Sequence, residues 1–173
     1  TTNPHTMDEI NRKISWDNLR ENIIKLLKKT PIHIHLDLIA GLPFEDFESF
    51  KKSFNDVFTL RPHVLQLGFL KLLKGASITQ NQQKYGYNYM SNSPYEVINN
   101  DFITYDQILD LHDIDFVFDR FYNSGSFKTS IELILKEYES PFEMFYELSI
   151  FFKRNGFMDK SLSKYDLYDV LYE

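Results

Sequence analysis

Apolar and polar residues alternate strictly over residues 32–39, IHIHLDLI. That period of two predicts a strand with Ile32, Ile34, Leu36 and Leu38 on one face and His33, His35, Asp37 and Ile39 on the other. Gly41-Leu42-Pro43 then stops the strand, Gly by its free φ and Pro by its missing donor. Upstream, Asn3 is placed to cap a short helix that opens on Pro4 and runs over residues 6–12. Ser15 is placed to cap a second, over residues 16–29, whose Leu19, Ile23, Leu26 and Leu27 recur at helical spacing until Pro31. Downstream, Phe47, Phe50, Phe54, Val57 and Phe58 form one stripe on a helix over residues 46–59. Glu45 and Asp46 read as acids of its first turn, favoured by the helix dipole. Arg61-Pro62 breaks that helix, and residues 63–69 read as another strand.

The order helix, strand, helix, strand predicts a parallel β/α unit. Its division into an apolar face and a polar one suits a β/α barrel, in which side chains near the C-terminal strand ends meet the ligand. Two strands cannot close a barrel, so the expectation is a partial one. Residues 79–103, rich in Asn, Gln and Tyr, show no sustained period and are expected to be irregular, with a short helix near 77–84. Beyond them Thr104 is placed to cap a long helix ending at Asn123-Ser124-Gly125, Ser126 another, and Pro141 opens a third that closes at Asn155-Gly156. A last helix is expected over residues 163–172. The expected organisation is therefore a β/α part over residues 1–78 and an all-helical domain over residues 79–173.

The 173 residues carry a formal net charge of −6, with lysines scattered among acids, which does not support a nucleic-acid footprint. No apolar run approaches the roughly 20 residues that span a bilayer and no signal-peptide pattern opens the chain, so no membrane partner is expected and cytoplasm is the default location. Absence of cysteine excludes disulfides, thiolate zinc sites and cysteine-held iron–sulfur clusters among these residues. The chain begins at Thr1 in what reads as a strand-to-helix turn, and is expected to be a fragment.

Three segments in order, TTNPHTMDEINRK, HLDLIAGLPFEDFESF and HVLQLGFLKLLKGASI, resemble the C-terminal part of a radical S-adenosylmethionine (SAM) barrel. The likeness is to the cobalamin-binding-domain type, labelled anaerobic magnesium-protoporphyrin ester cyclase-like, which carries a C-terminal domain of unknown function. Pro94 to Val97, PYEV, and Tyr122 to Phe127, YNSGSF, resemble that terminal domain. The resemblance implies that residues 32–39 and 63–69 are the fifth and sixth strands of a six-stranded barrel. It implies S-adenosylmethionine and a [4Fe-4S] cluster as cofactors of the parent protein, and leaves cobalamin open. The cluster loop CxxxCxxC is missing, so this chain alone is expected to be inactive, with no cofactor tightly held. Its expected partners are the upstream part of the same polypeptide and, through the open strand edges, a second copy.

Carried over by position, Asn3, Met7 and Arg12 match the family's Asn-x-x-x-Leu-x-x-x-x-Arg pattern, with Met for Leu. Arg12 would then pair with the cofactor carboxylate, for which a forked guanidinium is suited. Asp37 would accept both ribose hydroxyls, Ile39 would pack on adenine, and Gly41 would let the turn approach the cofactor. Phe44 stands where many relatives have glycine, which bears on the shape of that turn. Two other readings compete. His33, His35 and Asp37 form H-x-H-x-D, a pattern able to bind a divalent metal, or plainly polar filling of the lower barrel layers. The helical half could instead be a docking or dimerisation module on a non-catalytic scaffold.

Overall fold

The computed structural model describes residues 1–172 and divides into two compact units, Thr1–Leu109 and Asp110–Glu173. In the first, α1 (Pro4–Glu9) is capped by Asn3, whose side chain accepts from the amides of His5 and Thr6. Helix α2 (Trp16–Lys29) starts at Ser15, which accepts from Asn18 N–H, and ends ahead of Pro31. Strand β1 (His35–Ala40), α3 (Phe47–Phe58) and β2 (Val64–Phe69) form the expected unit, with β1 and β2 parallel in the register Asp37 opposite Gln66. The alternation holds: Leu38, Ala40, Leu65 and Leu67 are buried, while His35, Asp37 and Gln66 are exposed. Phe50, Phe54 and Phe58, one turn apart on α3, are fully buried, which is the apolar stripe the sequence carries. Ile23 of α2 packs with Ile34 and Leu60 into a second small cluster. This is a mixed α/β fold with a small parallel sheet.

Three expectations need correction in the first unit. Residues 79–103 are not simply irregular, and the chain beyond residue 78 is not all-helical. After the short helix α4 (Ser77–Gln80), β3 (Asn88–Tyr89) and β4 (Val97–Asn99) pair as an antiparallel hairpin. Such short strands show no alternation; backbone bonds from Val97 N–H to Leu70 O and from Leu72 N–H to Tyr95 O fix the hairpin against the end of β2. Secondly, Glu45 and Asp46 are not first-turn acids. Asp46 is the N-cap of α3, accepting from Ser49 N–H at 2.8 Å, and Glu45 lies before it, 1% exposed. Thirdly, the hairpin belongs to the compact unit that holds β1 and β2, so the units divide the chain differently from a boundary at residue 78.

The boundary between the units falls inside α5 (Tyr105–Phe118). Thr104 does accept from Gln107 N–H, but after Phe118 the helix widens into a π turn over Asp119–Asn123. Ser126 is not a cap: Phe127 precedes α6 (Lys128–Ile134) with no side-chain bond to it, and a 3₁₀ turn, Leu135–Glu137, follows. Helix α7 (Pro141–Arg154) is capped by Ser140 and closes at Asn155-Gly156, and α8 (Lys164–Tyr172) is the last helix described. The core of this unit is aromatic. Phe118 meets Phe145 edge-on at 4.7 Å between ring centroids, and Phe121 meets Phe152 at 5.6 Å.

Candidate functional site

The turn after β1 is fixed by side chains rather than by backbone pairing. A chain that leaves a strand carries carbonyls with no ladder partner, and burial requires that they find one. Gly41 has φ +86°, and its carbonyl accepts from Tyr87 Oη and from Asn100 Nδ2, each at 3.0 Å. Pro43 O accepts from the buried Thr6 hydroxyl at 2.9 Å, and Phe44 O from Asn3 Nδ2 at 2.9 Å. Phe44 itself sits at φ +61°, the conformation glycine adopts freely, so the turn keeps its shape with an aromatic residue in it. Its ring packs on His5, Phe102 and Tyr85 at centroid distances of 4.0, 4.9 and 5.9 Å.

Asn3 thus has two jobs, capping α1 and bracing the turn. Helix α1 ends where Asn11 takes φ +61° and Arg12 N–H bonds back to Met7 O at 2.8 Å. This is a left-handed helix terminus with Asn in the place usually held by Gly. It directs the chain through Arg12 toward Ser15 and α2.

A cavity of about 320 Å³ opens beside these elements. Arg12, Met7 and Ile10 line it from the end of α1, Trp16, Leu19 and Ile23 from α2, and His35 to Ile39 from β1. Residues of both faces of β1 reach it, Leu36 and Leu38 from one and His35, Asp37 and Ile39 from the other. A cavity touched by both faces of a strand runs along its edge. Among the described residues β1 pairs only with β2, so this is the edge with no strand beside it. The volume is at the lower end of the range for small-molecule sites. Arg12 and Asp37 are exposed, Ile39 is half-buried, and neither charged side chain makes a hydrogen bond or ion pair to a described residue.

Of the four residues singled out from sequence, three therefore meet in one cavity. Gly41 does not join them. It is buried, and a Cβ on it would touch Val97 Cγ1 at 3.4 Å and Leu70 Cβ at 3.5 Å, so it serves the approach of the hairpin to the turn. The H-x-H-x-D reading is not met by a three-ligand site, since no group of three such side chains among the described residues could hold a metal ion. Two features were not read from the sequence. Glu45 is buried against Ser53, whose hydroxyl donates to it at 3.0 Å, and burial holds its carboxyl above the usual range. Tyr87 and Asn100 reach across from the hairpin, and burial pushes the Tyr87 phenol well up. Only the glycine and the polar run 79–103 hinted at that clamp.

The fold and cavity define the first unit as a β/α scaffold with a polar-faced strand beside an open groove. Residues 83–173 match a family described as protein of unknown function (DUF4080); the match takes in more than half of the chain, and the chain belongs to that family. The match includes the hairpin, and with it the Tyr87 and Asn100 clamp on Gly41. PYEV and YNSGSF both lie within the matched residues. No curated protein matches the chain. No helix among the described residues is long and apolar enough to cross a membrane.

Proposed function

We propose that the first unit is the closing part of a radical SAM β/α barrel, and that Arg12, Asp37 and Ile39 form one wall of its nucleoside site. The observation that carries this reading is that Arg12, 25 residues before Asp37 in the chain, lines the same cavity as Asp37 and Ile39. Two further observations support it. Asn3, the first residue of the Asn-Met-Arg pattern, donates to the Gly-Leu-Pro turn through Phe44 O, so the two motifs that suggested the family meet in space. The groove also follows the edge of β1 on which a barrel would carry its preceding strand.

The residues present fit the nucleoside and carboxylate ends of S-adenosylmethionine. Arg12 offers a forked donor set for a carboxylate. Asp37 offers acceptor oxygens for two ribose hydroxyls, and Ile39 an apolar surface for a base. They do not fit an iron–sulfur cluster, because the chain has no cysteine. When bound and reduced by one electron, S-adenosylmethionine supplies a carbon radical able to abstract hydrogen from a substrate. This chain's part is confined to holding and orienting the cofactor.

The test is a titration of S-adenosylmethionine into the chain, followed by amide chemical shifts. The reading expects saturable shifts at residues 35–39 and at Arg12, weakened in both Arg12→Ala and Asp37→Ala. Shifts that never saturate, or that persist unchanged in both variants, would overturn it.

A further inference from the structure

A second cluster lies at the other end of β1. His33 and His35 flank Ile34 on one exposed face, and His33 Nδ1 stands 3.0 Å from His35 Nε2. The His63 ring lies over His33, 4.4 Å between centroids. His63 Nδ1 accepts the Ile34 N–H at 3.1 Å, so neutral His63 carries its proton on Nε2 and offers a metal no lone pair. His33 and His35 differ: one nitrogen of each faces the other across a single hydrogen bond.

Two neighbouring ligands of a square-planar or octahedral ion, each about 2.0–2.1 Å from it, stand about 2.9 Å apart. The spacing between His33 and His35 matches that distance, and rotation of the two exposed rings about their side-chain bonds would turn both lone pairs to one ion. We propose that His33 and His35 chelate a divalent late transition-metal ion, Ni²⁺ or Cu²⁺ in class, with water completing its coordination. The ion takes the place of the proton the two rings share. That proton moves to the other nitrogen of the ring that carried it, so both imidazoles bind in their neutral form and no net charge is displaced. Because the protein supplies only two ligands, the site agrees with the absence of any three-ligand group among the described residues. It needs neither Arg12 nor Asp37, although His35 also lines the groove.

The experiment is calorimetric titration of the chain with Ni²⁺ at pH 7.5, using the wild type and His33→Gln, His35→Gln and His63→Gln variants. All three positions are exposed, and circular dichroism checks that each variant folds. One ion per chain is expected. Affinity should fall by at least about tenfold in His33→Gln and in His35→Gln, since even outer-sphere partners of a metal are worth 10–100-fold. It should survive in His63→Gln. No binding by the wild type, or binding that survives both His33→Gln and His35→Gln, would overturn the proposal. Loss in His63→Gln equal to that in His35→Gln would also overturn it, because a third imidazole would then be a ligand.

Discussion

Phe44 offers a measurement of how firmly the turn beside the groove is held. Its φ of +61° puts an L-residue in the left-handed region, at a cost of roughly 1–2 kcal/mol that glycine does not bear. Against that cost stands a half-buried ring in contact with His5, Phe102 and Tyr85. Truncating a fully buried Phe to Ala costs about 3–5 kcal/mol, so a half-buried one should cost about 2 kcal/mol. Phe44→Ala loses the ring and keeps the backbone cost. Phe44→Gly loses the ring and sheds the backbone cost, even after the greater entropy of an unfolded glycine is counted. Phe44→Ala is therefore expected to destabilise the first unit by about 2 kcal/mol and Phe44→Gly by about 1 kcal/mol. The order is the reverse of what a helix or strand position would give. Urea unfolding followed by fluorescence of Trp16, the single tryptophan, reads the unit directly. Phe44→Ala as stable as Phe44→Gly, or more so, would refute the reasoning, as would no loss in either variant.

Three further outcomes follow from named groups. Asp115 is pushed up to about 6 by burial and then by the nearby Asp119, so the folded state binds its proton more tightly than the unfolded chain does. Its contribution is fully present below the ordinary carboxylate range near 3.8 and is lost as pH rises through about 6. Asp115→Asn should accordingly stabilise the second unit at pH 7 by about 1–2 kcal/mol, after discounting for solvent screening, and leave it unchanged near pH 3. Thermal unfolding at the two pH values checks this. Tyr87→Phe removes one of two donors to the Gly41 carbonyl and should cost about 1 kcal/mol in urea unfolding, and more than that when Asn100→Ala has already removed the other. The unpaired edge of β1 should let the chain associate with itself at high concentration, and Asp37→Lys on that strand should favour the monomer; size-exclusion chromatography that shows only monomer throughout would contradict it.

Where local chemistry decides an element, the sequence was sufficient. Ser15 and Pro31 bracket α2, and alternation over 32–39 placed the apolar and polar faces of β1 correctly. The strand ladder starts three residues later, at His35, because register is set by the partner strand, which begins at Val64. The hairpin was not legible because its strands are held by Leu70, Leu72 and Glu96 contacts between distant segments, with no period of their own. The same holds for the clamp on Gly41: a glycine announces a bend, not which tyrosine and asparagine will satisfy its carbonyl. Ser126 shows the opposite failure. Its type suits a cap, yet its N–H bonds to Ser124 Oγ in the preceding turn and the helix begins beyond it. For the groove, Arg12, Asp37 and Ile39 were marked by pattern, as was Met7 in the place of the pattern's Leu, whereas Leu19 and Ile23, which line it too, read as the apolar repeat of α2.

The proposed function requires Asp37 to accept the ribose hydroxyls of a nucleoside. The direct measurement compares adenosine with 2′,3′-dideoxyadenosine as ligands of the wild type and of Asp37→Ala, by chemical-shift titration. Hydrogen bonds to a charged group are worth about 1.5–3 kcal/mol, so the wild type should prefer adenosine by about tenfold or more. In Asp37→Ala that preference should vanish while the dideoxy ligand binds as before. Equal affinity of the two ligands for the wild type, or a preference for adenosine that survives in Asp37→Ala, would contradict it.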